Sequence, residues 1–207
     1  MLKAINIECV KGYDALFSGY HLTIKPGQIV QITGENGSGK TSLLRILTGL
    51  SYPEEGDVLW NGESIFTEPQ NYRLQLAYLG HLNGLKPGLS SIENLSLQQT
   101  LFAQPSNITA LQALDAVGLS GYEPILVNQL SAGQQRRVAL ARLLLSNAKL
   151  WILDEPITAI DTTGVTVFEK IITQHILNDG MVILTSHQPL NFPELSVRQS
   201  AIPAVHH

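Results

Sequence analysis

The chain has one cysteine, Cys9, in 207 residues. A single thiol can build neither a disulfide framework nor a thiolate metal cluster, so Cys9 is expected to be a buried structural thiol of a cytosolic protein. Charge is sparse as well: 14% of residues are charged, with 13 Lys plus Arg against 17 Asp plus Glu. A net charge of −4 without any basic block gives no footing for nonspecific nucleic-acid binding, and no nucleic-acid partner is expected. No apolar run approaches the roughly 20 residues of a membrane span. Lys3 and Glu8 fall in a short alternating start, so no secretory signal is expected there. These absences imply a soluble chain and leave docking onto a membrane protein open. With 44% apolar residues, the length suits one large core or a core with a smaller lobe.

Three apolar runs end in polar residues. In "QIVQITGENGSGKTSLLRILTGL" (28–50) a β-rich run meets a glycine turn and then an apolar-periodic helix. Gly34 to Thr41 match G-x-x-x-x-G-K-[ST] in the strand–loop–helix setting which that motif requires. Gly34, Gly37 and Gly39 let the backbone curl until its N–H groups face a phosphate, and the helix starting near Lys40 adds its positive end. The expected cradle is Gly34, Glu35, Asn36, Gly37, Ser38, Gly39, Lys40, Thr41 and Ser42. Lys40 would reach the β/γ-phosphates of ATP, and the Thr41 hydroxyl would hold Mg²⁺.

"KLWILDEP" (149–156) reads as a strand buried on both faces, with Asp154 and Glu155 at its carboxyl end, where open α/β sheets bind ligands. Asp154 would support Mg²⁺ through its water shell, and Glu155 would polarise the attacking water. Taken alone, such a pair could equally be a helix cap and surface charge. "MVILTSHQP" (181–189) repeats the pattern and ends at His187, which could contact the γ-phosphate and orient Glu155 or the water. By itself it could be a packing or capping histidine.

"QLSAGQQRRVALARLLLSNAKL" (129–150) opens with Ser131 placed as an N-cap. Ser131 and Gly133 would form a second anion-binding helix terminus. One cradle already exists, so the second is expected to complete the site of another copy of the chain, in a head-to-tail dimer that buries two nucleotides. Arg136 and Arg137 sit where the helix dipole does not favour cations, so packing or ion-pair roles at a subdomain boundary are expected.

With these residues the chain resembles the ATP-binding-cassette ATPases over essentially its whole length. The family's Leu-Ser-Gly-Gly-Gln signature stands as "LSAGQ" (130–134), with Ala132 in place of the first glycine. "TAID" (158–161) looks like the loop that crosses the dimer interface; Glu155 matches the catalytic glutamate and His187 the switch histidine. The resemblance implies that Lys40, Glu155 and His187 are catalytic and that Ser131, Gly133 and Gln134 contact nucleotide. It also implies an aromatic stacked on adenine, for which Tyr13 is the candidate. Ala132 would be strained at φ > 0 and tolerated in a helix.

The implied fold is α/β: a P-loop NTPase of the ABC ATPase type, with a RecA-like core, an N-terminal antiparallel β portion and an inserted helical subdomain. Within a single domain 1–207, residues 1–75 and 146–207 would be the core and 82–145 the helical subdomain. "LKAINIECV" and "DVLWNGESI" read as antiparallel strands, and "SIENLSLQQTLFA" and "ITALQALDAVGLSGY" as helices. Helix starts are expected at Ser90–Glu93 and Asn107–Ala110, with the glutamate of a capping box only at the first. The stretch of about twenty residues after His187 is expected to leave no room for a regulatory domain.

At the hinge between core and helical subdomain the family normally carries a glutamine that touches Mg²⁺ or the attacking water. Here the place is held by His81. That departure, with "GLKPGLSSIENL" and "LWILDEPITAID", is similar to the ATP-binding subunits of cytochrome c maturation complexes. That similarity implies a peripheral location on the cytoplasmic face of the bacterial inner membrane. It also implies a membrane-spanning permease partner, associated maturation proteins, and ATP hydrolysis serving c-type cytochrome biogenesis. The nominal task is haem export, and release of a haem-loaded chaperone is the favoured one. His81 either replaces the glutamine, with pH-sensitive coupling, or packs as a structural histidine. Other readings are the motor of a different ABC transporter or a soluble mechanical ATPase acting on nucleic acid or ribosomes. Without C-x-x-C-H, and with six scattered histidines, the chain itself is not expected to bind haem.

Overall fold

A computed structural model describes residues 1–12, 14–101 and 105–203. The chain begins with two antiparallel strands, β1 (Leu2–Lys11) and β2 (Asp14–Ile24), followed by β3 (Gln28–Thr33) and the helix α1 (Lys40–Leu47). Two short strands, β4 (Asp57–Trp60) and β5 (Glu63–Ser64), lead through α2 (Pro69–Arg73) to β6 (Leu76–Leu79). Three helices come next: α3 (Ser91–Leu101), α4 (Ala110–Ala116) and α5 (Ala132–Leu144). The chain then returns through β7 (Leu150–Leu153), α6 (Thr162–Leu177), β8 (Met181–Thr185) and β9 (Val197–Ala201).

The strands form two sheets. One is antiparallel, in the order β2-β1-β4-β5; the other, β6-β7-β8-β3-β9, is parallel at every pairing. The apolar runs explain the parallel sheet, since all four residues of β7 and all five of β8 are buried. Side chains alternate between faces, so each strand feeds two cores. Trp151 and Leu153 join α4, α5 and α6 on one face, whereas Leu150 and Ile152 join α1 and the antiparallel sheet on the other. The helices share their apolar cluster with the sheet: Leu114 of α4, Leu140 of α5 and Phe168 of α6 belong to the same cluster as Leu153. Full burial of one such side chain contributes about 1.5–3 kcal/mol, so a single large-to-small change in β7 would loosen one face without the other.

The tail carries a strand. β9 pairs parallel to β3 at the sheet edge, and the Tyr20 hydroxyl lies 2.8 Å from Ser200 Oγ. At α3 the expected capping box is present: Glu93 N donates to Ser90 Oγ and Ser90 N to Glu93 Oε2. At α4 the cap is Thr109, two residues beyond Asn107. It too forms a box, because the Gln112 side chain accepts from the Thr109 N–H as a glutamate would. Cys9 is buried, as expected. His21 lies exposed on β2, its Nδ1 accepting from Asn6 N at 3.3 Å. His175 stacks on Trp151 with ring centroids 3.8 Å apart, and burial pushes its pKa down to about 4. No helix of the described residues is long and apolar enough to cross a membrane.

Candidate functional site

β3, β7 and β8 are neighbours in the parallel sheet, and their carboxyl ends bring three sequence segments together. After β3 the chain turns through Gly37 (φ 84) and Gly39 (φ 94), both in the left-handed region. A Cβ on Gly39 would also lie 3.0 Å from the Phe17 ring, so only glycine fits there. Gly39 is the N-cap of α1 and supplies no side-chain cap, so the first-turn N–H groups have no side-chain acceptor. The Lys40 ammonium donates to Gly34 O and Glu35 O, each at 2.9 Å, which folds the loop around its own cation.

The ends of β7 and β8 are joined by hydroxyl bridges. Thr41 Oγ1 donates to Asp154 Oδ2 and Thr185 Oγ1 to Asp154 Oδ1, both at 2.8 Å. Thr185 Oγ1 in turn accepts from Glu155 N at 2.9 Å. Asp154 is buried, 2% exposed, so both its carboxylate oxygens are held in place. Glu155 adopts φ 48, a conformation that side-chain-bearing residues rarely take. Its Oε2 accepts from His187 N at 3.3 Å, and Oε1 lies 3.4 Å from His187 Nε2. Geometry at Oε1 does not make a hydrogen bond, and this buried oxygen has no other partner among the described residues.

A cleft of about 310 Å³ opens over these groups. Asn36, Gly37, Gly39, Lys40, Thr41 and Ser42 line it from the loop; Asp154, Glu155 and His187 line it from the strand ends. Lys11 and Leu16 close it from the antiparallel sheet. Gly34, Glu35 and Ser38 are not lining residues. The first two accept from Lys40, and Ser38 Oγ is buried within 2.5 Å of where a Gly34 Cβ would stand. A hydroxyl and a carboxylate facing each other are an oxygen-only donor pair, and no group of three or more His, Cys, Asp or Glu gathers as a metal cage among the described residues. That donor set suits Mg²⁺, which takes one or two protein ligands and completes its shell with phosphates and water.

Ser131, Gly133 and Gln134 lie apart from this cleft, at the start of α5. Gln134 N donates to Ser131 Oγ at 3.2 Å and Ser131 N to Gln134 Oε1 at 2.9 Å, a complete capping box. Ala132 is the first helical residue and carries no positive φ, so it is unstrained. A Cβ on Gly133 would stand 2.6 Å from Ala159 O, which explains glycine there and packs the signature against the 158–161 turn. Arg137 Nη2 donates to Asp161 Oδ1 at 2.6 Å, and the same oxygen caps α6 by accepting from Gly164 N.

One expected site residue is found away from the cleft, and another lies outside the described residues. His81 is exposed and does not line the cleft, so it is neither a packed histidine nor in contact with a Mg²⁺ position here. Its backbone follows β6 (Leu76–Leu79) out of the sheet. Tyr13 lies outside the described residues; the apolar side chain that the antiparallel sheet contributes to the cleft is Leu16. Three contributing residues escaped the sequence reading: Lys11, Leu16 and Thr185. Thr185 was the most accessible, standing at the end of an apolar strand two residues before His187.

The ABC transporter family model matches residues 17–158. The cytochrome c biogenesis ATP-binding export protein CcmA of Escherichia coli O6:H1 is 49% identical over 202 residues, which covers 98% of this chain and 96% of that protein. Among solved structures, a putative ABC transporter ATP-binding protein from Pyrococcus furiosus superposes with a TM-score of 0.81 at 25% identity, over 97% of this chain and 96% of that one. An ATP-binding cassette in a dimeric post-hydrolysis state bound to ADP and phosphate gives 0.77 at 26% identity, over 91% and 88% of the two chains. The chain belongs to the ABC transporter ATPases and groups within them with the CcmA ATP-binding export proteins.

Proposed function

We propose that this ABC ATPase hydrolyses ATP to ADP and phosphate to drive a membrane complex of c-type cytochrome biogenesis. In the mechanism we infer, Lys40 exchanges the Gly34 and Glu35 carbonyls for the β/γ-phosphates, and the uncapped start of α1 takes the phosphate charge. Thr41 and Asp154 would hold Mg²⁺, which when bound offsets the charge developing on the phosphate oxygens. Glu155 accepts a hydrogen bond from the attacking water and orients it toward the γ-phosphorus. His187 braces that carboxylate from one side and meets the γ-phosphate from the other. A second copy contributes Ser131, Gly133 and Gln134 to the open side of the cleft, and Tyr13 is the proposed adenine platform.

The observation that carries this reading is Glu155 Oε1, a buried carboxylate oxygen at the cleft with no hydrogen bond and with His187 Nε2 only 3.4 Å away. Such an oxygen is an acceptor held ready for one more donor. The name of the CcmA relatives supports the pathway. On that basis the partner is a CcmB-like membrane-spanning permease with associated cytochrome c maturation proteins, and the location is peripheral on the cytoplasmic face of the inner membrane. Haem export is the nominal task, and release of a haem-loaded chaperone is the step we favour. We take residues 82–145 as the helical subdomain that meets the partner, and 1–75 with 146–207 as the core. His81, exposed at their joint, would approach Mg²⁺ or the water only after the joint moves.

Replacement of Glu155 by Gln tests the reading. Turnover should fall about 100-fold or more while ATP affinity stays within a few-fold, because the loss is confined to the acceptor. In a bacterium lacking its own CcmA, the wild-type chain should restore c-type cytochromes and the variant should not. Wild-type turnover in Glu155→Gln would remove Glu155 from the mechanism.

A further inference from the structure

Arg136 is 3% exposed, in the second turn of α5. A guanidinium has five N–H donors in one plane, and here all five are used. Nε donates to Pro156 O at 2.9 Å; Nη2 donates to Asp154 O and Glu155 O, each at 2.8 Å. Nη1 donates to Gly80 O at 2.9 Å and to Asn83 Oδ1 at 3.0 Å. No carboxylate oxygen lies within ion-pair distance of it among the described residues, so four carbonyls and one carboxamide solvate a buried charge. One planar group therefore ties the exit of β7, which carries Glu155, to the joint after β6.

The two ends of this fork have different significance. Glu155 sits at φ 48, and Arg136 Nη2 grips the carbonyls on both sides of its Cα. That grip holds an unfavourable backbone conformation from which the carboxylate faces His187. Gly80 and Asn83 flank His81, in the segment that leaves the parallel sheet for the helices. Arg142, six residues further along α5, is a natural contrast. Its Nη1 donates to Asn83 O at 2.8 Å and Gly84 O at 3.4 Å, and it makes no hydrogen bond to the 154–156 segment. A lysine has three donors on a point charge and cannot reproduce the fork.

We propose that Arg136 is a positioning residue that sets the Glu155 carboxylate and makes its placement depend on the Gly80–Asn83 joint. The inference rests on the proposed role of Glu155. A shift of the joint by a fraction of an ångström pulls on Nη1, and the rigid guanidinium transmits that pull to the carbonyls around Glu155. The partner-facing joint and the water-orienting carboxylate thus share one mechanical link inside a single chain.

The test compares Arg136→Gln, Arg136→Lys, Asn83→Ala, their double variant and Arg142→Ala, with ATP turnover divided by the number of nucleotide sites measured by equilibrium binding. In Arg136→Gln and Arg136→Lys, kcat per bound nucleotide should fall about 30-fold while KM for ATP changes less than about 3-fold, since the carboxylate is misplaced and the phosphate loop is not. Asn83→Ala spares the buried guanidinium and four of its five acceptors, and should lower kcat about 3-fold. Adding Asn83→Ala to Arg136→Gln should cost nothing further, because both act through one link. Arg142→Ala should keep basal kcat within about 2-fold. A per-site kcat in Arg136→Gln within about 2-fold of wild type would overturn the proposal, as would additive losses in the double variant. If neither Arg136 variant folds, Asn83→Ala decides: unchanged kcat overturns the link. Glu155→Gln assayed in parallel separates the two readings. Full turnover there defeats the role of Glu155 itself, whereas an inactive Glu155→Gln beside a normal Arg136→Gln defeats only the link.

Discussion

The starts of α1 and α5 are built in opposite ways. α1 begins at Gly39, whose φ of 94 and missing side chain leave the first-turn N–H groups without a cap. α5 begins at Ser131, where a capping box closes two of those donors back onto the chain. A glycine start gives up only about a few tenths of a kcal/mol relative to a Ser cap, and in exchange keeps its donors free for an anion. A capped start is stable by itself and can offer a ligand only what the box leaves over. At α5 that remainder is the Ser131 O–H, which donates to no acceptor among the described residues, together with the Ala132 and Gly133 N–H groups that the box does not reach. Under the proposed function, the first helix start would be the primary phosphate cradle and the second a latch that engages from outside.

The difference can be broken first at α1. Lys40→Ala removes the cation that closes the loop on Gly34 O and Glu35 O, and the group that would replace those carbonyls by phosphate. ATP turnover should fall about 100-fold or more, with weakened nucleotide binding measured by calorimetry. Wild-type affinity in that variant would place the cradle elsewhere.

A control of intermediate size lies away from both helix starts. His175 has a folded pKa of about 4 against 6.5 for the free side chain, because burial against Trp151 disfavours the charged ring. Between pH 6.5 and 4 the unfolded chain binds a proton there that the folded chain does not, so stability falls as pH falls through this window and is intact above it. The loss should reach roughly 2–3 kcal/mol in urea unfolding, after discounting for the partly exposed ring. His175→Phe keeps the stack and should flatten the slope. Activity lost in that window without matching loss of fold would belong to the site.

The smallest effect is expected at α5. Ser131→Ala removes the cap acceptor and should cost about 1 kcal/mol of stability, with ATP binding by the isolated chain unchanged. Loss of binding in the isolated chain would mean that both helix starts serve one cleft of the same chain.

This contrast also shows what a sequence reveals. The loop at Gly34–Thr41, the acids after β7 and His187 were readable because spacing along one strand or turn dictates them, and Ser131 because a cap is a local device. β9 was not readable: Val197–Ala201 is a half-exposed edge strand without apolar alternation, recruited by pairing with β3 across more than 160 residues. The bonds of Arg136 escaped for a related reason. Four of its five acceptors are backbone carbonyls 18 to 56 residues away, and main-chain acceptors leave no trace in residue type. Thr109 was hidden by habit of residue choice, since Gln112 closes the box where a glutamate was sought. His81 follows β6, where sequence order puts it, but its exposure away from the cleft depends on the path of the chain after β6, which no local spacing reveals.

The most direct test of the two-start account is the mass of the Glu155→Gln chain in solution with and without ATP, alone and combined with Ser131→Arg. The account predicts a shift from monomer to dimer on adding ATP to Glu155→Gln, and a chain that still binds ATP but stays monomeric when Ser131→Arg is added. Equal dimerisation of the double variant would contradict it.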